Sequence, residues 1–97
     1  MPAPFEALAV PPTALEKGGV EIVRAAIVEG GLHISVRRAF EDAQGWGMVL
    51  ADIARHVARI HAMETGAPEA LTLDRIRNML DAELDSPTDP GTTTAIS

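Results

Sequence analysis

Two runs rich in valine and isoleucine, separated by a pair of glycines, constrain the fold of this 97-residue chain more than any other feature. The stretch VEIVRAAIVEGGLHISVRRAF carries one run on each side of Gly30-Gly31. β-Branched residues favour strands, and glycine readily adopts the positive φ angles that a tight hairpin turn requires. The sequence therefore predicts an antiparallel β-hairpin with strands at about residues 20–28 and 32–38.

The length of the turn decides which strand residues face each other. With a two-residue loop at Gly30-Gly31, Ile27 pairs with Ile34. One face of the hairpin is then apolar, and we expect it to face the core: Val23, Ala25, Ile27, Leu32, Ile34 and Val36. The same register places Arg24 opposite Arg37, which is unfavourable because like charges repel there.

A three-residue loop over residues 29–31 is the alternative. It would shift the register by one residue, separate the two arginines and turn a different set toward the core: Val20, Ile22, Ala26 and Val28. We favour the two-residue loop because it produces the cleaner apolar face.

Two amphipathic helices are predicted after the hairpin. The first covers about residues 43–64, with Asp42 as its N-cap, and Gly66 ends it. Its apolar residues form one stripe at helical spacing: Trp46, Leu50, Ile53, Val57 and Ile60. The second helix covers about residues 69–84, with an inner stripe at Leu73, Ile76, Leu80 and Leu84. We expect both helices to pack on the apolar face of the hairpin.

The two ends of the chain carry weaker signals. The stretch FEALAV is a candidate for a third, N-terminal edge strand, and TALEKGG predicts a single helical turn because Thr13 and Glu16 have capping-box spacing. Residues 87–97 contain little to bury and are expected to form a disordered tail. The sequence thus predicts one small two-layer α+β domain over residues 1–86.

A two-stranded sheet in so short a chain favours self-association. The aromatic residues are only Trp46, Phe5 and Phe40, and a domain of this size builds a thin core. Open strand edges also invite pairing with another chain. We therefore expect a homodimer.

Composition and charge exclude several classes of protein. The chain has no cysteine, which removes disulfides, thiol catalysis and thiolate metal sites. Its net charge of −6 opposes binding to nucleic acid, which stays the weakest alternative through the hairpin arginines. No stretch approaches the roughly 20 apolar residues that cross a bilayer, and the N-terminal residues lack the pattern of a signal peptide. We expect a cytoplasmic protein without a membrane partner.

Three blocks of the sequence resemble a known family. In order, they are GGVEIVRAAIVEGGLHISVRRAF, WGMVLADIARHVARIHA and RIRNMLDAELDSPTD. They resemble the small bacterial family called Domain of Unknown Function 5076, from Phe5 to Asp89, and the block WG…LADIARHVA is the most specific part. The resemblance implies a stand-alone small domain. It implies no activity and no site residues, because none is assigned to the family.

The polar face of the hairpin is the best candidate for a binding surface. In the preferred register Arg24, His33 and Arg37 share this face with Ser35, and Arg38 follows directly. A basic strand face suits a small anionic ligand, such as a phosphate, or an acidic protein segment. Nearby glutamates, Glu21 and Glu29, are able to neutralise part of this charge.

The histidines of the first helix do not predict a metal site. His56 and His61 are five residues apart, so they point about 140° away from each other, whereas chelation on one helical face requires positions i and i+4. His56 shares a polar stripe with Asp52, Arg55 and Arg59. We interpret this stripe as a solvated face, or as a contact with acidic residues of the second helix: Asp74, Asp81 or Glu83.

No catalytic constellation is present in the sequence, which contains no nucleophile elbow, no glycine-rich phosphate loop after a strand and no H-E-x-x-H. We therefore expect a non-enzymatic interaction or ligand-binding module that needs no cofactor and acts as a homodimer. The alternative is an enzyme or enzyme subunit whose site forms in a cleft between chains. Such a site would draw on His33, Arg37, Arg38 or His56.

Overall fold

The chain forms a short helix, a two-stranded hairpin and two longer helices, in a computed structural model that describes residues 4–89 and 91. The elements are α1 (Pro12–Lys17), β1 (Val23–Val28), β2 (Gly31–Val36), α2 (Gln44–Thr65) and α3 (Glu69–Asp85). An antiparallel hairpin followed by two long helices confirms a small α+β fold. The chain divides into two compact units, a hairpin unit that ends at Arg37 and a helical unit that begins at Arg38.

The candidate third strand in FEALAV is not formed, because residues 4–11 have no regular secondary structure and α1 begins at Pro12. Proline has no N–H for a strand ladder but fits the first turn of a helix. The capping box of Thr13 and Glu16 is also wrong, since the N-cap is Pro11, two residues earlier, and there is no side-chain cap.

The turn of the hairpin lies one residue before the predicted position. Glu29 and Gly30 adopt positive φ angles of 51° and 82°, and Gly31 is already the first residue of β2, paired with Val28. Both loops contain two residues, so the loop length is correct and the residues that form it are not. Positive φ at both positions is the backbone of a type I′ turn.

This shift corrects the predicted register by two residues. Ala25 pairs with Ile34 and Arg24 pairs with Ser35, so the predicted opposition of Arg24 and Arg37 does not occur. A register that avoids two opposed positive charges is favoured electrostatically, and it places Glu29 in a backbone conformation that costs about 1–2 kcal/mol for a residue with a side chain.

The composition of the two hairpin faces is nevertheless as predicted. A shift by two residues leaves every side chain on its original face, because side chains alternate with a period of two. The apolar face of the hairpin therefore carries three pairs: Val23 with Val36, Ala25 with Ile34, and Ile27 with Leu32.

Within the hairpin unit, the apolar face is exposed, and its packing against the two helices stays a prediction. Ile27 is 70% exposed and Ile34 is 55% exposed, and no residue of β2 is buried. Neighbours on one face of a sheet stand side by side, so two strands cannot bury this face against each other. Such a face needs a second layer over it before it becomes a core.

α2 ends at the predicted glycine, but its predicted N-cap, Asp42, lies one residue before the observed cap position. Asp42 Oδ1 accepts a hydrogen bond from the N–H of Gln44 (2.9 Å), although the cap position itself belongs to Ala43. Gly66, with φ of 77°, ends α2 and donates its N–H to the carbonyl of Ala62. Pro68 then precedes α3 in an extended conformation. A left-handed glycine followed by proline is a common way to stop one helix and begin another.

The face of α2 that packs on α3 consists of small residues. Ala58 is fully buried, and Ala54 and Ala62, four positions before and after it, are half-buried. On α3, the half-buried residues include Leu73 and Ile76. Small side chains at intervals of four allow two helices to approach closely.

The predicted core stripe of α2 lies beside this contact and not in it. Leu50 is 51% exposed and Ile53 is 43% exposed, whereas Trp46 is half-buried. On α3, Leu84 is also exposed. The amphipathic pattern correctly located a helix, but its apolar side is not the side that α3 covers. The predicted single domain over residues 1–86 stays a prediction, and the predicted tail lies largely outside the described residues.

Candidate functional site

The polar face of the hairpin brings together three of the predicted binding residues. Arg24, His33 and Arg37 all lie on the face opposite the apolar one, with Ser35 between the last two. His33 stands opposite Ala26, and Arg24 stands opposite Ser35. The other two predicted residues, Arg38 and His56, belong to the helical unit.

Glu21 neutralises Arg24. Two hydrogen bonds connect the guanidinium to the carboxylate, from Nε to Oε1 at 3.2 Å and from Nη2 to Oε2 at 3.1 Å. The same guanidinium lies 5.8 Å from the centre of the Phe5 ring, in the range of a cation–π contact. Arg24 is therefore positioned by the N-terminal segment, and much of its charge is already used within the hairpin unit.

Arg37 also turns toward Glu21, but it uses the backbone. Its Nε donates to the carbonyl oxygen of Glu21 at 2.8 Å, and its own N–H donates to the carbonyl of Ile22 at 2.9 Å. The backbone bond continues the strand pairing beyond the end of β2, and the side-chain bond holds the guanidinium beside it. The carboxylate of Glu21 is bound by Arg24, so Arg37 keeps its positive charge on this polar face.

The polar face thus has one neutralised and one charged arginine. A fork-shaped guanidinium that is held by one backbone bond still offers donors to an anion, and His33 lies four residues along the same strand face. The positive charge that this polar face offers to an anion is therefore smaller than that of two unpaired arginines. Sequence reasoning named Glu21 as a neutralising residue but did not predict which arginine it binds.

Arg38 contributes its backbone to a small aromatic corner at the start of α2. Its carbonyl oxygen accepts a hydrogen bond from the indole Nε1 of Trp46 at 2.9 Å. The rings of Trp46 and Phe40 are 5.6 Å apart and meet edge to face at 83°. This contact needs a glycine at position 45, because a Cβ there would lie only 2.7 Å from the Phe40 ring.

The aromatic corner holds the Trp46 ring at the start of α2 and explains one of the two glycines beside it. The signal in the sequence was the pair of glycines around the single tryptophan. The sequence alone did not indicate that Phe40 of the same chain packs against the start of α2.

On α2, the polar stripe forms one contact with α3. Arg59 Nε lies 4.0 Å from Oε1 of Glu69, so an acidic residue of α3 is the partner, although not one of the three that the sequence suggested. Both side chains are about half exposed, and such a pair contributes little to stability. His56 is exposed on the same stripe, as predicted for a solvated face.

An apolar groove of about 710 Å³ runs between α2 and α3. Apolar side chains from both helices form most of its wall: Val57, Leu71, Ile76, Met79 and Leu80. His61, Arg75 and Glu83 add polar groups to it. Hydrogen bonds from the hydroxyl and N–H of Thr88 lower the pKa of Glu83, which lies in the last turn of α3.

The described part of the chain contains no cluster of three or more side chains suited to a metal ion. Within the same residues, no helix has the length and apolar character to cross a membrane.

Comparison with known proteins identifies relatives over nearly the whole chain. The model of the family Domain of Unknown Function 5076 matches residues 7–88. A solved structure from the photosynthetic bacterium Rhodopseudomonas palustrus, provisionally named a pyruvate dehydrogenase, is 42% identical, with a TM-score of 0.78 and coverage of 100% of both chains. No curated protein matches the sequence.

Proposed function

This chain belongs to the family Domain of Unknown Function 5076, and we propose that it is a non-enzymatic interaction or ligand-binding module that acts as a homodimer. One observation carries the proposal: large apolar side chains are exposed in both units. In the hairpin unit they include Ile27, Leu32 and Ile34, and in the helical unit Leu50 and Ile53. A chain that leaves so many of them in water is stabilised by a partner.

The gain from covering these side chains is large relative to the stability of a small domain. Full burial of one Leu, Ile or Val contributes about 1.5–3 kcal/mol, and a small domain has about 5–15 kcal/mol in total. A homodimer covers the same surface on both copies, because a two-fold interface uses one patch twice.

The binding activity is proposed for the polar face of the hairpin. Arg37 keeps its charge there, and His33 lies on the same face. We propose a small anionic ligand or an acidic protein segment as the partner, with inorganic phosphate as the simplest probe. Arg24 then positions the strand through Glu21 and does not itself bind the anion. Arg38 and His56 remain predicted binding residues of the helical unit.

Light scattering over a range of protein concentrations tests the homodimer. The expected mass is twice that of one chain, and a folded monomer at high concentration would contradict the proposal. The anion site is tested by adding phosphate and following the imidazole signals of His33 by NMR. Arg37→Gln should remove the response, whereas Arg55→Gln, on α2, should leave it unchanged.

An enzyme, or a subunit of one, with a site between two chains is the second candidate. Its support is the relative of 42% identity that is provisionally named a pyruvate dehydrogenase. Oxidation of pyruvate requires an electron acceptor, and the stretch GWGMVL departs from the G-x-G-x-x-G pattern of dinucleotide sites at Leu50. This departure places the enzyme second. Turnover of pyruvate by the purified protein, with NAD or a dye as acceptor, would reverse the order.

We also propose that the protein is bacterial and cytoplasmic. The bacterial origin is supported by the relative from Rhodopseudomonas palustrus. The cytoplasmic location rests on the sequence pattern alone, and cell fractionation with an antibody against the protein tests it.

A further inference from the structure

We propose that Glu21 is an internal competitor for the anion: its carboxylate binds Arg24, so that the polar face of the hairpin binds a phosphate-type oxyanion through Arg37 and not through both arginines. This inference rests on the anion site proposed above, and it identifies the residue that sets the affinity of that site. Every residue involved, including Phe5, belongs to the hairpin unit.

The two arginines lie close enough together to bind one anion. Arg24 pairs with Ser35, and the N–H of Arg37 bonds to the carbonyl of Ile22, so the two arginines are diagonal neighbours on one face. The Cα atoms of such neighbours are about 7–8 Å apart, within the reach of long side chains. Both guanidiniums contact Glu21, one at its carboxylate and the other at its carbonyl oxygen. The hairpin thus brings two guanidiniums to one residue.

The carboxylate of Glu21 takes the place on Arg24 that an external oxyanion would need. Nε and Nη2, the donors on one edge of the guanidinium, each bond to one of its oxygens. This two-bond geometry is the one by which arginine binds carboxylates and phosphates in general. The side chains of Arg24 and Glu21 are 48% and 59% exposed, so the carboxylate can leave without disturbing a core.

Arg37 is held in a different way, which separates the two arginines experimentally. Its Nε donates to the backbone oxygen of Glu21, and this oxygen is present whatever side chain stands at position 21. The other N–H groups of its guanidinium point to no acceptor within the described residues and are able to bind an anion. A change of the Glu21 side chain therefore releases Arg24 and leaves the position of Arg37 unchanged.

The geometry favours an oxyanion of the phosphate type. Phosphate carries oxygens on several sides and can bind two guanidiniums at once, whereas one guanidinium is enough for a carboxylate. Glu21 opposes such an anion twice, because it occupies the donors of Arg24 and places a negative charge beside the site. The Phe5 ring, 5.8 Å from the guanidinium carbon, contacts Arg24 independently of Glu21 and helps to keep it on this face.

The variant Glu21→Gln tests the competition. It removes the charge with little change in size and keeps the backbone oxygen that binds Arg37. At low ionic strength the dissociation constant for inorganic phosphate should fall at least about threefold, a modest gain because exposed ion pairs are weak and are screened by salt. NMR follows the imidazole of His33 and the Nε–H of Arg24. The Arg24 signal should respond to phosphate in the variant and not in the wild type.

Two controls separate release of Arg24 from a change in net charge. Glu29→Gln removes the same charge from the turn of the hairpin and should change the dissociation constant much less. The double variant Glu21→Gln/Arg24→Gln has the same local net charge as the wild type and should bind phosphate with about the wild-type affinity. An equal gain in Glu29→Gln, or a gain that persists in the double variant, would overturn the competition for Arg24.

The outcomes distinguish this inference from the proposed anion site. A wild-type chain that binds phosphate, together with a Glu21→Gln variant that binds it no more tightly, would overturn the competition and leave the anion site standing. Binding in Glu21→Gln alone would support the competition and contradict anion binding by the wild type. No response in either chain would overturn both. Circular dichroism checks that each variant keeps the wild-type fold.

Discussion

The indole N–H of Trp46 donates a hydrogen bond to the carbonyl oxygen of Arg38, with 2.9 Å between Nε1 and the oxygen. This bond connects the first turn of α2 to the residues that lead into it. The Phe40 ring lies against the same indole and over Gly45, so one hydrogen bond and one ring contact together define how the helix begins.

Trp46→Phe should destabilise the helical unit by about 1 kcal/mol. The substitution keeps an aromatic ring against Phe40 but removes the donor, and a typical hydrogen bond contributes about 0.5–1.5 kcal/mol. Urea unfolding followed by circular dichroism measures the change. An unfolding curve identical to that of the wild type would show that the bond to Arg38 does not contribute to stability.

The two glycines beside Trp46 should respond oppositely to alanine. Gly45→Ala places a Cβ 2.7 Å from the Phe40 ring, which must move, so we expect a loss of about 1–3 kcal/mol. Gly47→Ala meets nothing within 4 Å and should gain about 1 kcal/mol from helix propensity. Because Trp46 is the only tryptophan, its fluorescence during unfolding reports on both variants. A gain for both would remove the argument for close packing at Gly45.

The turn of the hairpin should be stabilised by Glu29→Asn. Asn followed by Gly is the preferred pair for this turn, and Glu29 now adopts a φ angle of 51° that is unfavourable for its side chain. We expect a gain of about 0.5–1 kcal/mol, measured as slower amide hydrogen exchange in β1 and β2.

Gly30→Ala is the control for the turn. Space is available at Gly30, so any loss there comes from its φ angle of 82° and not from a collision. If both variants exchange at the wild-type rate, the turn does not limit the stability of the hairpin.

The end of α3 should depend on pH through Glu83. Hydrogen bonds from Thr88 favour the ionised carboxylate and lower its pKa in the folded chain. The resulting stabilisation is present above the pKa of the unfolded chain, about 4.5, and is lost as the pH falls through the lower folded value. Thr88→Val removes the hydroxyl donor, so the pKa of Glu83 should rise toward its ordinary value in an NMR titration. An unchanged titration curve would contradict this role of Thr88.

The hairpin shows how local pattern and long-range pairing differ in what they can predict. Alternation along the chain predicted which residues share a face, and this was correct, because it depends only on the period of a strand. The register was wrong by two residues. The register depends on the repulsion between the charges of Arg24 and Arg37 and on the free-energy cost of a positive φ angle at Glu29. Both are properties of the pair of strands.

For the candidate site too, the sequence predicted which residues share a face but not how they pair. The sequence indicated that Arg24, His33 and Arg37 share a polar face, and that Glu21 was close enough to neutralise a charge. Only the folded hairpin decided that Glu21 binds Arg24 with its carboxylate and Arg37 with its carbonyl, because this depends on where the chain before β1 lies.

The sequence by itself determined the order and kind of the main elements: a tight turn between β-branched runs, and two helices separated by Gly66 and Pro68. These are effects of backbone geometry and local periodicity, which act over a few residues. The tertiary structure alone decided which side of α2 packs against α3. The alanines around Ala58 allow α3 to approach closely, and the larger side chains of Leu50 and Ile53 are left exposed beside that contact. Hydrophobic periodicity marks the apolar side of a helix. The shape of the partner helix determines which side of α2 it packs against.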